Sequence, residues 1–280
     1  MTTKKTPEHK GRVLRISMKT AADPMQLWEA WADPAKLGHW FPDRAEGRAV
    51  EGAVQTWFFD RFNYAMPYEV YSSVPGEHLV YTGQMPGRAR FYLEIDITRE
   101  AGTTVLTLTN SGFLDKDGWD DEYEGIASGW QMALAMLKQY VEQYFGRPRV
   151  QFFAMRPAQY EFAELLPHYR DRRLLGEWLT ITGEVGNVGE SYALTLREGG
   201  RASGEVLAVT GWEVQLSWTE IAGVVALKGF AMGLTRAICI HGSSWNLTAE
   251  KAADLENAFG AALDRLAAVL QGTSHEHVRT

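Results

Sequence analysis

The stretch LWEAWADPAKLGHWF, Leu27–Phe41, places three tryptophans within fifteen residues and breaks its helical pattern with an Asp-Pro pair at Asp33 and Pro34. A proline at the first helical position loses no hydrogen bond, because that backbone N–H has no intrahelical partner anyway, and an aspartate just before it can cap the orphan donors. The same device stands ten residues earlier, Asp23 then Pro24, so the spacing predicts two short consecutive helices. Leu27, Trp28 and Trp31 share one face of the first, and Trp40 and Phe41 close the second.

Outward from this pair the pattern changes. Before it, RVLRISM (Arg12–Met18) alternates as a strand. After it, GAVQTWFF, YEVYSSV, HLVYTG, RFYLEIDITRE and TTVLTLTN are short runs of β-branched and aromatic residues between turns such as VPGEH and EAGT, which predicts an antiparallel meander. Alternation puts Gln55, Trp57 and Phe59 on one face, as it does Leu79 with Tyr81, Phe91 with Leu93 and Ile95, and Leu106 with Leu108 and Asn110. From Gly125 to Phe145, apolar residues at Ile126, Trp130, Ala133, Leu134, Leu137, Val141 and Tyr144 follow the spacing of a long amphipathic helix, which GRPR (Gly146–Arg149) ends.

The second half repeats this order. VQFFAM is a strand, AQYEFAELLPHYRDRRLLGEWL two helices, four further β-rich runs follow, and the closing helix carries Leu255, Phe259, Leu263, Leu266 and Leu270 on one face. Trp40 and Trp178 stand 138 residues apart, and the same offset carries Arg12 to Val150. A period this long marks a duplicated domain, because solenoid repeats run at about 20–50 residues. The expected division is a disordered basic tail at 1–11, a first domain at 12–147, a degenerate second copy at 148–272 and a tail at 273–280.

Composition narrows the function. The 280 residues are 45% hydrophobic and 22% charged, the balance of a globular chain, and no apolar run is long enough to cross a bilayer. The polar, basic start lacks the apolar core of a signal peptide, so a cytoplasmic protein is expected. A formal charge of −7 disfavours nucleic acid as a partner, since phosphate neutralisation needs a concentrated basic face. The single cysteine, Cys239, lies in the alternating run RAICIHG and reads as a buried strand thiol.

The order of elements, with LWEAWADPAKLGHWF, EGAVQTWFF, PGEHLVYTG, TVLTLTNSGF and SGWQMALAMLKQYV, closely resembles the START-like (SRPBCC, helix-grip) superfamily. Within it, the similarity is to the branch related to the C-terminal domain of the heat-shock protein 90 ATPase activator. The resemblance covers Gly11–Gly146 well and Val150–Gln271 weakly: the second copy keeps the Leu-Gly-x-Trp phrase and the closing helix, with a shorter strand region and only a loose HGSSW in place of TNSGF. It implies an α+β helix-grip fold in tandem, a curved antiparallel sheet around a long C-terminal helix. It also implies a space between sheet and helix that can hold a small, mostly apolar ligand in the first domain. The residues expected to line that space are Trp28, Trp31, Trp40, Phe41, Gln55, Trp57, Phe59, Tyr81, Phe91, Asn110, Phe113, Trp130 and Leu134. No cofactor, metal site or catalytic set is expected. An interaction module for a protein partner and an aromatase/cyclase-type enzyme using Gln55, Asn110 or His39 are the alternatives. His39, His168 and His241 stand alone, without a partnered nucleophile or zinc spacing. DKDGWDDEYE, Asp115–Glu124, has the look of a calcium loop, but its glycine comes too early for an EF-hand and an acidic solvated loop is expected.

Overall fold

The computed structural model describes residues 4–9, 11–84, 90–113, 120–232 and 235–277. The chain divides into two compact units, Met1–Pro148 and Arg149–Thr280. Asp115–Trp119 of the acidic loop lies outside the described residues.

In the first unit, strand β1 (Arg12–Thr20) leads to α1 (Pro24–Ala32) and α2 (Pro34–Gly38). Asp23 accepts a hydrogen bond from the Met25 N–H, and Asp33 from those of Ala35 and Lys36, so both Asp-Pro pairs start helices as expected. The strands β2 (Arg44–Gly47), β3 (Val54–Phe59), β4 (Tyr64–Val74), β5 (His78–Gln84), β6 (Arg90–Glu100) and β7 (Thr103–Phe113) follow, and α3 (Asp120–Gln139) closes the unit. The helix ends in a π-helical turn, Tyr140–Tyr144. The seven strands form one antiparallel sheet in the order β1-β7-β6-β5-β4-β3-β2. Because β1 and β2 form opposite edges of the sheet, the tryptophan-bearing helices that join them cross it, α1 against β5 and β6 and α2 against β2.

The second unit carries the same elements: β8 (Val150–Pro157), α4 (Phe162–Arg170), α5 (Arg172–Trp178), β9 (Thr180–Thr182), β10 (Ser191–Leu196), β11 (Arg201–Val209), β12 (Glu213–Trp218), β13 (Gly223–Met232), β14 (Thr235–Ser244) and α6 (Ala249–His277). Its sheet order, β8-β14-β13-β12-β11-β10-β9, is that of the first. Although the run of residues is shorter, all seven strands are kept. The repeat extends to single hydrogen bonds. Asp171 caps α5 through the N–H groups of Arg173 and Leu174, as Asp33 caps α2. The Trp40 indole donates to the Ala30 carbonyl at 2.8 Å, and the Trp178 indole to the His168 carbonyl at 3.0 Å. Both tryptophans are fully buried. The protein is therefore a tandem helix-grip fold.

The N-terminal segment differs from the free tail expected of it. Residues 4–9 lie along the outer face of the first sheet, where the Lys5 N–H donates to Ser72 Oγ at 3.1 Å and Pro7 is buried. Its polar composition fits this because the face it covers is itself polar: Ser72, His78, Glu94 and Ser111 are all buried.

Candidate functional site

Two layers of aromatic side chains, drawn from the sheet, from the α1–α2 segment and from α3, meet on the inner side of the sheet. The deeper layer is Trp31, Trp40, Trp57 and Tyr81, all fully buried. Trp31 meets Trp40 edge-on with ring centroids 4.8 Å apart and Trp57 at 6.3 Å, and Trp57 meets Tyr81 at 5.2 Å. Gln55 ties this layer down from β3. Its Nε2 donates to the Ala32 carbonyl at 3.1 Å, while its Oε1 accepts from Trp57 Nε1 at 3.0 Å and from the Tyr81 hydroxyl at 2.6 Å. The Tyr81 hydroxyl also reaches the Trp31 carbonyl at 2.9 Å. Burial pushes the Tyr81 hydroxyl far above its ordinary range, so it stays a donor.

Above this layer lies a second ring set, Phe41, Phe59, Tyr68, Phe91 and Trp130, each only half-buried. Phe41 stacks on Trp130 at 5.2 Å and meets Phe59 edge-on at 5.9 Å, and Tyr68 packs on Trp57 at 4.3 Å and edge-on against Phe91 at 5.7 Å. Gly83 makes room for Phe91: the two are cross-strand partners, and a Cβ on Gly83 would stand 2.7 Å from the phenyl ring. Asn110 fixes Trp130, accepting from the indole N–H at 3.0 Å while its own amide donates to the Tyr92 carbonyl at 3.2 Å. Burial also raises the Tyr68 hydroxyl, which remains neutral.

The expected lining residues thus separate into groups. Trp31, Trp40, Gln55, Trp57 and Tyr81 form the buried floor; Phe41, Phe59, Phe91 and Trp130, held by Asn110, form the half-open layer. Phe113 packs instead against Tyr123, with ring centroids 5.3 Å apart. Leu134 is buried on α3, and among the described residues no ring contact joins Trp28 to the set. Both inward amides, Gln55 and Asn110, find protein partners. Tyr68 is the member that the sequence reading missed. Alternation across β4 places it with Val70, but a register shift between Val70 and Ser72 hides that parity in the sequence. The buried indole N–H groups of Trp28 and Trp31 have no acceptor among the described residues. His39 lies beside Tyr140, its Nδ1 3.4 Å from the phenolic oxygen.

The second unit is open at the corresponding place. Leu179 stands where Phe41 does in the repeat, and Leu196 ends β10 as Phe59 ends β3. These smaller side chains, with Ile221, Leu247, Leu255 and Phe259, border a cleft of about 310 Å³.

Residues 21–142 match the family described as Activator of Hsp90 ATPase homolog 1-like protein. The first unit is a domain of that family. It carries the family's helix-grip fold, and the second unit repeats the same architecture. None of the curated proteins compared with the chain matches it. Among solved structures, a protein of the dynemicin biosynthetic locus, DynU16, is 17% identical, with 93% of this chain and all of that chain covered at a TM-score of 0.43. The Aha1 dimer from Colwellia psychrerythraea is 16% identical over 48% of this chain and 98% of that one, at a TM-score of 0.42. A protein from Mesorhizobium loti is 22% identical over 46% and 95%, at a TM-score of 0.41. No helix of the described residues is long and apolar enough to cross a membrane.

Proposed function

We propose that the first unit binds a small, flat, mostly apolar molecule against the half-exposed rings of Phe41, Phe59, Tyr68, Phe91 and Trp130. The carrying observation is the contrast between layers. Beneath, the floor is sealed, and the indole of Trp57 and the hydroxyl of Tyr81 are satisfied by Gln55. Above, five rings remain partly open to solvent over that floor. A planar ligand would gain offset-stacked or edge contacts worth about 0.5–1.5 kcal/mol each beyond the area it buries. Few polar groups point at this surface, so shape and apolar area would dominate recognition. Native mass spectrometry of the purified protein, compared with a denatured sample, tests this reading. A stoichiometric apolar adduct supports it; a protein that stays empty after incubation with a panel of planar aromatics and lipids contradicts it.

A further inference from the structure

The outer face of the first sheet holds a buried charged cluster on which the N-terminal segment rests. His78, fully buried, pairs across strands with Asp96, its Nδ1 2.9 Å from Asp96 Oδ1. Its Nε2 is 3.2 Å from the Lys5 carbonyl. A carboxylate and a carbonyl can only accept hydrogen bonds, so both contacts exist together only when both ring nitrogens carry protons. His9 stands beside this pair, with Nδ1 3.0 Å from Ser111 Oγ and Nε2 3.2 Å from Oε2 of the buried Glu94. The other charged groups are Lys4, 3.6 Å from Asp96, and Lys5, whose ammonium pairs with Glu51. Beside the cluster stand neutral Ser72 and Val74 from β4 and Thr107 and Thr109 from β7; the same face also carries Glu69 on β4 and Arg15 on β1, the latter 3.4 Å from Thr109 Oγ1.

We propose that residues 4–9 form a proton-held strap, clamped on the outer face of the first sheet by doubly protonated His78 and released when that proton is lost. His78, Glu94 and Asp96 bring ligating atoms within 4.8 Å of one another, but the ring nitrogens already face acceptors and Lys4 already faces Asp96, so proton and ammonium charge balance the carboxylates. The direction of titration agrees. Burial opposes the charge on His78, yet Asp96, the Lys5 carbonyl and Glu94 together hold it above its ordinary value. Desolvation by burial would raise Asp96, but the His78 hydrogen bond and the nearby charges of His78 and Lys4 outweigh it and keep Asp96 below its ordinary range. A group whose bound-state value is raised contributes fully below its free value near 6.5 and loses that contribution as pH rises through the bound-state value. The strap therefore opens on the alkaline side, and again in acid when Asp96 is neutralised.

The test is an NMR titration of the intact protein that follows the His78 ring and the Lys5 amide from about pH 5.5 to about pH 9, a range spanning imidazole ionisation. His78 should titrate above its ordinary value. Lys5 protection, corrected for the intrinsic exchange rate, should fall in the same range by about tenfold per pH unit beyond it. In Ser72→Ala, which removes the acceptor of the Lys5 N–H, the His78 titration should move back toward its ordinary value; a purely structural contact would lower protection and leave the titration unmoved. His78 titrating at or below its ordinary value, or Lys5 protection independent of pH, overturns the proposal. So does protection at pH 8 that is restored by one equivalent of zinc, since a cation would then be the clamp.

Discussion

Replacing Gln55 with leucine removes the hub of the buried aromatic floor while keeping its volume close to the original. The Trp57 indole N–H and the Ala32 carbonyl lose the partner that Gln55 provides, whereas the Tyr81 hydroxyl keeps the Trp31 carbonyl. Two buried polar groups left unsatisfied cost about 1–3 kcal/mol each, and the extra apolar surface of leucine returns part of this, for a net loss of about 2–4 kcal/mol. For a unit of this size the melting transition should fall by about 5–15 °C. Thermal unfolding followed by tryptophan emission, with urea unfolding as a second probe, measures the effect. Tyr81→Phe leaves Gln55 with two of its three contacts and should cost about 1 kcal/mol, so the two substitutions together should be less than additive. A Gln55→Leu protein within about 0.5 kcal/mol of the parent, the spread of neutral surface changes, would refute the network as the floor's constraint.

Other expectations are simpler to read. Asp33→Ala and Asp171→Ala each remove a side-chain cap at equivalent points of the repeat, and each should cost about 1 kcal/mol in urea unfolding. Cys239 is buried and its thiol is pushed up to about 12, so a disulfide reagent should label it only after denaturation. His168 is buried with its Nδ1 lacking a partner among the described residues, and burial lowers its pKa. The unfolded chain then binds the proton more tightly, so the second unit should lose stability as pH falls below about 6.5 and through the lowered folded-state value. His168→Leu should flatten that acid limb.

Much of the fold can be read from local chemistry. The Asp-Pro pairs at 23–24 and 33–34 specify helix starts because capping and the missing proline donor act within one turn. The offset between Trp40 and Trp178 reveals the duplication, and the structure shows why both indoles recur: each bonds the carbonyl ten residues back, locking the two short helices together. The division of the aromatics into floor and open layer is not local. It depends on which rings from α1–α2, β3–β6 and α3 meet, and alternation cannot distinguish a ring covered by another ring from one facing solvent. Tyr68 escapes because a bulge interrupts the β4 alternation. The strap escapes for a related reason: a polar segment reads as solvated unless the face that receives it is also known to be polar and buried.

The most direct test of ligand binding at the open ring layer is a fluorescence titration of the parent and of Trp130→Ala with the same panel of planar aromatic and lipid-like compounds. The account predicts saturable quenching with at least one compound, weakened about tenfold or more in Trp130→Ala, because one stacking partner worth about 0.5–1.5 kcal/mol and its buried area are lost together. Equal affinity in the two proteins, or no saturation with any compound, would contradict it.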